Sequence, residues 1–187
     1  MLNYKNMTLR PLEESDLKNY EKWLTTEIEW TLWDAPWEGV EPVCAGLAWR
    51  KERILEYAEN PPEFYGVLQI VAPGGHHIGW VSSYTIDTPE IIAVGLGIPP
   101  MDARGLGYGK NALLLFMSYI FTHKQVEELY TQTWSGNDGM LGLAKSIGFV
   151  EIGRIKGIRR VRGGRFDALT FSISKEEFFS RHGDIKT

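Results

Sequence analysis

The chain has 187 residues and a formal net charge of −4 at pH 7, which indicate one domain with a sizeable core and argue against general affinity for nucleic acids. Its one cysteine, Cys44, excludes an internal disulfide and is typical of a reducing, cytoplasmic setting. The first ten residues lack the form of a signal peptide, and no apolar run approaches the roughly 20 residues of a membrane span. We therefore expect a single cytoplasmic domain over residues 1–187 with no membrane segment.

The N-terminal third is predicted to hold one strand and two helices. Residues 7–11 have the pattern of a strand, and a helix with an acidic first turn follows from Leu12. A second helix is predicted over residues 47–59 and ends at the prolines that follow. The buried face of the first helix is predicted to carry Leu17, Tyr20, Trp23 and Leu24.

Three strands in a row are predicted next, over residues 64–72, 78–86 and 90–98. A hairpin turn at residues 73–76 joins the first two, so these strands are expected to pair antiparallel. The pair His76-His77 lies at this turn. Neighbouring residues on a strand point to opposite faces, and no cysteine or third histidine is near. A solvated turn is therefore favoured over a metal site.

A glycine-rich loop links the third of these strands to a long amphipathic helix. The strand ends at Ile98, the helix is predicted over residues 112–121, and Gly105, Gly107 and Gly109 lie between them. Bare backbone N–H groups at a helix N-terminus bind anions, above all phosphates. Glycine lets the backbone approach such a ligand closely and take positive φ.

Three phosphate-binding patterns compete for this loop. The P-loop fails, because its first glycine would fall on Arg104 and because Asn111 replaces its hydroxyl residue. The last two glycines and Ala112 meet the dinucleotide pattern, but no strand–helix alternation precedes the loop as that fold requires. The third pattern, Gln/Arg-x-x-Gly-x-Gly/Ala, is met in full by residues 104–109, Arg-Gly-Leu-Gly-Tyr-Gly.

The last third is predicted to hold a strand, a short helix and a hairpin. The strand covers residues 126–134 and the helix 140–147, with Asn137 or Asp138 placed as its cap and Gly148 just after its end.

The hairpin is predicted over residues 150–173, with its turn at 162–165, and is strongly basic. A solvated face is favoured over contact with an acidic partner, a cofactor phosphate or nucleic acid. Its cations are Arg154, Lys156, Arg159, Arg160, Arg162 and Arg165.

Residues 104–109 resemble the cofactor loop of the GNAT superfamily of acyl-CoA N-acyltransferases. Asn137, followed by Ile-Gly-Phe at 147–149, resembles the second signature of that superfamily. The Arg-Pro-Leu at residues 10–12 with its acidic helix start, and Gly-Arg-Phe-Asp at 164–167, resemble the branch of ribosomal-protein N-terminal and spermidine acetyltransferases. The resemblance spans about residues 7–173.

This resemblance implies an α+β fold. The expected sheet is central, mixed and mostly antiparallel, with six to seven strands splayed in a V and about four flanking helices. It also implies transfer of an acetyl group from acetyl-CoA to an amine.

The resemblance further implies where acetyl-CoA binds. Backbone N–H groups of residues 106–110 would hold the pyrophosphate, backbone near Ile98 the pantetheine arm, and Asn137 that arm or the orientation of its helix. Arg104 would position the phosphates or cap the loop. The implied cofactor-binding residues are Ile98, Arg104, Gly105, Leu106, Gly107, Tyr108, Gly109, Lys110 and Asn137.

The region between the first two helices borders the acceptor site in GNAT proteins, and here it is rich in tryptophan and acid. These side chains could hold a cationic amine by cation–π contact and charge, or the tryptophans could simply pack a loop onto the sheet. The implied acceptor-binding residues are Trp33, Asp34, Trp37, Glu38 and Tyr84.

The chain departs from the family at the usual proton-transfer positions. Ala93 stands where many relatives carry a glutamate base, Ala144 where many carry a tyrosine acid, and Met140 where some carry a serine. The catalytic residues therefore stay unassigned. Side chains that remain as proton carriers are Tyr84, Asp87, Tyr130 and Ser135.

Three functions follow from these patterns. The first is an amine N-acetyltransferase acting on a protein N-terminus, a polyamine or a small-molecule amine. The second is a non-catalytic acyl-CoA-binding protein, which the missing acid and base keep open. The third is a nucleic-acid-associated protein that uses the basic hairpin, which the net charge and the lack of a stacking platform argue against. A homodimer is left open.

Overall fold

A computed structural model describes residues 1–38 and 42–186 of the chain. One eight-stranded sheet, in the order β1-β2-β3-β4-β5-β6-β8-β7, forms its centre. The strands are β1 Leu2–Tyr4, β2 Met7–Arg10, β3 Val67–Ala72, β4 His76–Ile86, β5 Thr88–Gly97, β6 Glu128–Trp134, β7 Val150–Val161 and β8 Gly164–Ser174. The helices are α1 Leu17–Thr25, α2 Val43–Glu59, α3 Tyr108–His123, α4 Asp138–Ile147 and α5 Lys175–His182.

The sheet is antiparallel except where β5 meets β6. These two strands run parallel and are paired only at Ala93 and Tyr130, next to a hydrogen bond from Thr131 Oγ1 to the Val94 carbonyl oxygen at 2.8 Å. Beyond that point the C-terminal ends of β5 and β6 are unpaired with each other. This opening, called the splay below, confirms the predicted V in a mostly antiparallel sheet.

Helix α3 is the centre of the hydrophobic core. Its residues from Ala112 to Phe121 are all buried, so it is covered by the sheet on one side and by other elements on the rest of its surface. Phe178 of α5, which has no exposed surface, packs against Phe121 with ring centroids 5.4 Å apart. The predicted helix had one apolar stripe, whereas the actual helix is apolar on all sides, as a central helix must be.

Two elements were not predicted from the sequence. Strand β1 has only three residues and pairs with β2 across a turn in which Lys5 has φ 51°, so it is too short to show an alternating pattern. Helix α5 has one fully buried residue among mostly polar ones, and its clearest signal is the Ser174 cap, whose Oγ accepts from the Glu177 N–H. The sheet therefore has eight strands and not six to seven.

An aromatic cluster covers the face of the sheet opposite α3. Trp80 on β4 lies against Tyr20, Trp23 and Trp30, with ring centroids 5.4–6.0 Å apart. Gly97 on the neighbouring strand makes room for it, because a Cβ there would lie 2.5 Å from the indole ring. The tryptophans near the start of the chain thus anchor α1 and the segment after it to the sheet.

A buried polar network lies beneath α1. Arg10 donates two hydrogen bonds to the carboxylate of Asp16, at 2.7 and 2.8 Å. His77 contacts Asp16 through Nδ1 at 3.3 Å, and its Nε2 lies 3.0 Å from Gln69 Oε1. The prediction of a solvated His76-His77 pair is therefore wrong for His77, which is buried. The turn exposes His76, and the alternation of the strand then turns His77 inward.

The buried position of His77 predicts a pH dependence of stability. Burial lowers the pKa of His77 from 6.5 to about 4, although the nearby Asp16 carboxylate opposes the shift. Between these values the unfolded chain binds more protons than the folded chain, so the free energy of unfolding should fall as pH drops from about 6.5 to about 4. His77→Gln should flatten this slope in urea unfolding curves. The matched variant at the exposed neighbour, His76→Gln, should keep it, and equal slopes in both variants would contradict the assignment.

Candidate active site

The glycine loop (residues 104–109) leads into α3, whose N-terminus has no side-chain cap. Gly107 is the N-cap of α3, with φ 84° and ψ −4°, and no side chain caps the helix. Gly105 also has positive φ, at 74°, and an added Cβ at either glycine would meet nothing within 4 Å. The first backbone N–H groups of α3 therefore have no side-chain cap, and such groups are suited to donate hydrogen bonds to an anion.

Gly109 has a different role in the same loop. A Cβ at this position would lie 3.2 Å from Leu96 Cδ1 on β5, so glycine lets the first turn of α3 approach the sheet closely. This contact sets the uncapped N-terminus beside the end of β5, where the splay opens.

Two lysines add positive charge next to the loop. Lys110 Nζ donates to the Ser146 carbonyl oxygen of α4 at 3.0 Å, and Lys5 Nζ donates to Asn111 Oδ1 at 3.2 Å. Lys110 belongs to the predicted set, whereas Lys5 does not. Only the pairing of β1 with β2 brings Lys5 here, and no local motif marks it.

Arg104 holds the loop from within. Its Nε donates to the Ile98 carbonyl oxygen at 2.7 Å and its Nη2 to the Pro99 carbonyl oxygen at 2.8 Å. Its Nη1 pairs with Glu29 Oε2 at 2.6 Å. Of the two roles expected for Arg104, this geometry supports capping of the loop.

Glu29 joins the glycine loop to the segment after α1. Its second oxygen, Oε1, accepts a hydrogen bond from Trp33 Nε1 at 2.7 Å. The hydrogen bond from Trp33, together with Arg104, holds the pKa of Glu29 below its usual range. Glu29 was missed in the sequence because an isolated glutamate in a polar segment gives no signal of its partners.

The Trp33 carbonyl oxygen ties this segment to the other side of the splay. It accepts hydrogen bonds from Trp134 Nε1 at 2.9 Å and from Asn137 Nδ2 at 3.1 Å. Asn137 is also the cap of α4, with its Oδ1 accepting from the Met140 N–H at 3.0 Å. The predicted cap at Asn137 and the αL residue at Gly148, with φ 106°, are both confirmed.

Tyr84 lies in the splay. A Cβ on Gly95 would be 3.8 Å from its ring, and the backbone of Gln132 on β6 lies close enough to its hydroxyl group to act on its pKa. Burial raises the pKa of Tyr84, and the charge of Asp34 raises it further. A tyrosine from β4 thus crosses the gap between β5 and β6 at the point where they part.

Asp34 and Glu38 make this side of the site acidic. Asp34 keeps contact with solvent, yet the protein around it and then the negative charge of Glu38 raise its pKa. The raised pKa makes Asp34 a better proton acceptor than an ordinary aspartate.

The basic hairpin folds onto the tryptophan segment (residues 30–38). The Arg159 guanidinium lies 4.2 Å from the centroid of the Trp37 ring, and that of Arg162 lies 5.4 Å from Trp33. Arg162 Nη2 also donates to the Leu32 carbonyl oxygen at 3.1 Å. The preferred interpretation of a solvated hairpin face is therefore wrong for Arg159, which is partly buried against Trp37, whereas Arg162 contacts the segment and is still exposed.

Arg154, also in the basic hairpin, is tied up in ion pairs. It pairs with Glu151 at 2.7 Å and with Asp167 at 2.6 Å. The solvated interpretation is kept for the exposed cations Lys156, Arg160 and Arg165, since the contacts of the described residues do not contradict it.

Three other proton carriers named from the sequence lie in structural hydrogen bonds or away from the splay. Ser135 Oγ accepts from the Asp167 N–H at 2.9 Å. Tyr130 donates its hydroxyl proton to Glu128, toward the start of β6. Asp87 lies in the exposed turn between β4 and β5. Tyr84 alone of the four lies at the splay.

Residues 1–38 and 42–186 contain no cluster of three or more side chains suited to hold a metal ion. In the same part of the chain, no helix combines the length and apolar character needed to cross a bilayer.

Comparison with known proteins identifies a family and several relatives. The family model described as "Acetyltransferase (GNAT) domain" matches residues 6–150, more than half of the chain. An uncharacterised N-acetyltransferase, YokL, derived from the SPbeta prophage of Bacillus subtilis (strain 168), is 28% identical over 80 residues. That match covers 43% of this chain and 45% of the relative, so it spans less than half of either protein.

Solved structures share the fold over nearly the whole chain. A GNAT acetyltransferase from Bacillus anthracis has a TM-score of 0.75 at 13% identity, covering 94% of this chain and 99% of that one. Spermidine N-acetyltransferase from Vibrio cholerae, solved with CoA and spermine, has a TM-score of 0.72 at 17% identity, covering 93% and 98%. Ribosomal-protein-S5-alanine acetyltransferase from Vibrio fischeri has 0.71 at 17%, covering 95% and 97%.

The link through Glu29 predicts a measurable loss of stability. Glu29→Ala removes hydrogen bonds from both Arg104 and Trp33, so the free energy of unfolding in urea should fall by about 1–3 kcal/mol. Glu27→Ala removes only the exposed pair with Lys22 and should cost less than about 1 kcal/mol. Equal losses in the two variants would show that the link contributes nothing beyond a surface ion pair.

Proposed function

Because the chain belongs to the GNAT acetyltransferase domain family, we propose that it transfers an acetyl group from acetyl-CoA to a primary amine in a ternary complex. The observation that carries this proposal is the uncapped N-terminus of α3 beside the splay of β5 and β6. We further propose that the whole chain acts as one domain in the cytoplasm, where its exposed Cys44 would stay reduced.

The residues present fit the phosphates of acetyl-CoA. The open space above Gly105 and Gly107 would admit a pyrophosphate to the first N–H groups of α3. The ammonium groups of Lys5 and Lys110 lie close enough to this turn to favour an anion there.

The splay would take the pantetheine arm. The edge of β5 beyond Val94 has no strand partner on the β6 side, so its backbone groups are free to bind an amide-bearing chain. When bound, acetyl-CoA supplies an activated thioester. A backbone N–H at this edge would stabilise the oxyanion that forms on attack, by a few kcal/mol.

Two side chains would carry the protons. Asp34, with its raised pKa, would accept a proton from the acceptor ammonium group so that the amine can attack. Tyr84, whose pKa is also raised, stays protonated and would donate to the departing thiolate from its place in the splay. This pair would replace the glutamate and tyrosine that the chain lacks at Ala93 and Ala144.

A specific observation keeps the non-catalytic alternative in view. Ala93 and Ala144 remove the usual acid and base, so a protein that binds acyl-CoA without turnover would show the same glycine loop. Release of free CoA thiol in the presence of an amine separates the two functions, because both would bind acetyl-CoA.

Binding of acetyl-CoA is testable through thermal unfolding. A ligand that binds only the folded state raises the melting temperature, by an amount that corresponds to about 2.7 kcal/mol at 100 times its Kd. Gly107→Glu should abolish the rise, because it sets a carboxylate at the phosphate position. Gly75→Glu, at a turn glycine with similar positive φ and equally open space, should keep it. No rise in the parent protein would overturn the cofactor assignment.

The proton-transfer roles are testable through the pH profile of kcat/KM. Asp34→Asn should lower kcat/KM by about 100-fold or more, which is typical for loss of a general base. Glu38→Gln removes a charge that raises the Asp34 pKa, so the acid limb of the profile should move to lower pH. A profile that does not move in Glu38→Gln, or an active Asp34→Asn variant, would assign the base elsewhere.

A further inference from the structure

Two buried hydrogen-bond donors, on residues that contact each other, have no acceptor in the described part of the chain. Within residues 1–38 and 42–186, the side-chain atoms that are buried and lack a hydrogen-bond partner are Trp37 Nε1 and Arg159 Nε. An unsatisfied buried donor is rare in folded proteins and is destabilising. These two belong to residues in direct contact, since the Arg159 guanidinium lies 4.2 Å from the Trp37 ring centroid.

Arg159 also lacks a counter-charge. Arg10, Arg104 and Arg154 each contact a carboxylate within 3 Å. No carboxylate among the described residues comes within ion-pair distance of Arg159. A cation and two N–H donors thus belong to one stacked pair of side chains, and the described residues provide no acceptor for either donor.

This place borders the acceptor side of the splay. Trp37 packs edge-on against Trp134 at the end of β6, with centroids 6.2 Å apart. Trp134 packs in turn on Phe166, at 4.9 Å. Asp34 lies three residues before Trp37 on the same segment. The same segment thus carries a carboxylate, aromatic rings, and a ring stacked against a cation with unpartnered donors, and these groups together are complementary to a zwitterion.

We infer that the acceptor is a small amine that also carries a carboxylate or phosphonate group. Arg159 and Trp37 would donate hydrogen bonds from Nε and Nε1 to that anion, while Asp34 takes the ammonium group. The inference rests on the proposed function, which it narrows to anionic amines. It disfavours polyamines, because Arg159 and Arg162 would repel a second positive charge and already cover a face of Trp37 and of Trp33.

The test compares matched amines as acceptors with acetyl-CoA. Each anionic amine is paired with the amine that lacks its anionic group. The pairs are alanine with ethylamine, 4-aminobutyrate with propylamine, 3-aminopropylphosphonate with propylamine, and phenylalanine with 2-phenylethylamine. Spermidine is added as the polycation. Thiol release at neutral pH gives kcat/KM per total amine, because both members of each pair are then mainly the ammonium ions that Asp34 is proposed to take. In at least one pair the anionic member should be better by about 10-fold or more, because its absence leaves buried donors unpaired.

Substitutions then assign the preference to the proposed residues. Arg159→Gln should reduce the ratio of kcat/KM within the preferred pair to near one. Trp37→Phe, which keeps the ring and removes the donor, should reduce it in part. Arg160→Gln, the exposed neighbour on β7, should leave the ratio unchanged. Each variant is checked for its melting temperature, and a ratio within one variant is insensitive to partial loss of folded protein.

The outcomes separate the inference from the function on which it rests. The inference would be overturned if spermidine or the amines without an anionic group reacted with a kcat/KM equal to or higher than that of the anionic amines. The proposed acetyltransferase function would still stand in that case. A preference that survives Arg159→Gln would overturn the site. Acetyl-CoA binding with no turnover of any amine would overturn both and support the non-catalytic alternative.

Discussion

The site depends on a single backbone pairing between β5 and β6. Because these parallel strands meet only at Ala93 and Tyr130, one sheet holds together while its two halves diverge. Thr131 reinforces the junction by donating to the Val94 carbonyl oxygen, just where the strands part. A longer parallel ladder would close the opening, and none would leave two separate sheets. The position of this junction therefore decides where backbone edge, Tyr84 and the N-terminus of α3 come together.

The Glu29 carboxylate couples the two sides of that opening. One oxygen takes the Arg104 guanidinium from the glycine loop, and the other takes the Trp33 indole N–H. The Trp33 carbonyl oxygen then receives Asn137 from α4. The glycine loop and the tryptophan segment are thus connected by the contacts of Glu29 with Arg104 and Trp33. A pyrophosphate that orders the loop would, by the same contacts, order the proposed acceptor side.

The features of this structure that the sequence predicted are those that depend on a few neighbouring residues. The glycine loop, the Asn137 cap and the αL Gly148 follow from conformational demands on a few adjacent residues, and their positions were correct. Features set by distant partners were missed or mistaken. His77 is buried because Asp16, at the N-cap of α1, and Gln69, on β3, are brought to it by the fold. Strand β1 forms because it pairs with the edge of β2. Its three residues are too few to show a strand pattern in the sequence.

The tryptophan segment shows why the acceptor was the hardest feature to predict. On its own, a run of tryptophans with Asp34 and Glu38 indicates a site for a cation, since both charge and ring faces favour one. The fold changes this inference, because the hairpin brings Arg159 and Arg162 onto those same rings. Two of the cations bound by the tryptophan segment are therefore Arg159 and Arg162 of the same chain. Among the described residues, the donors on Trp37 and Arg159 have no partner, and for this reason the acceptor proposed above carries an anionic group. In this architecture the hairpin, and not the tryptophan segment alone, would determine which amines are accepted.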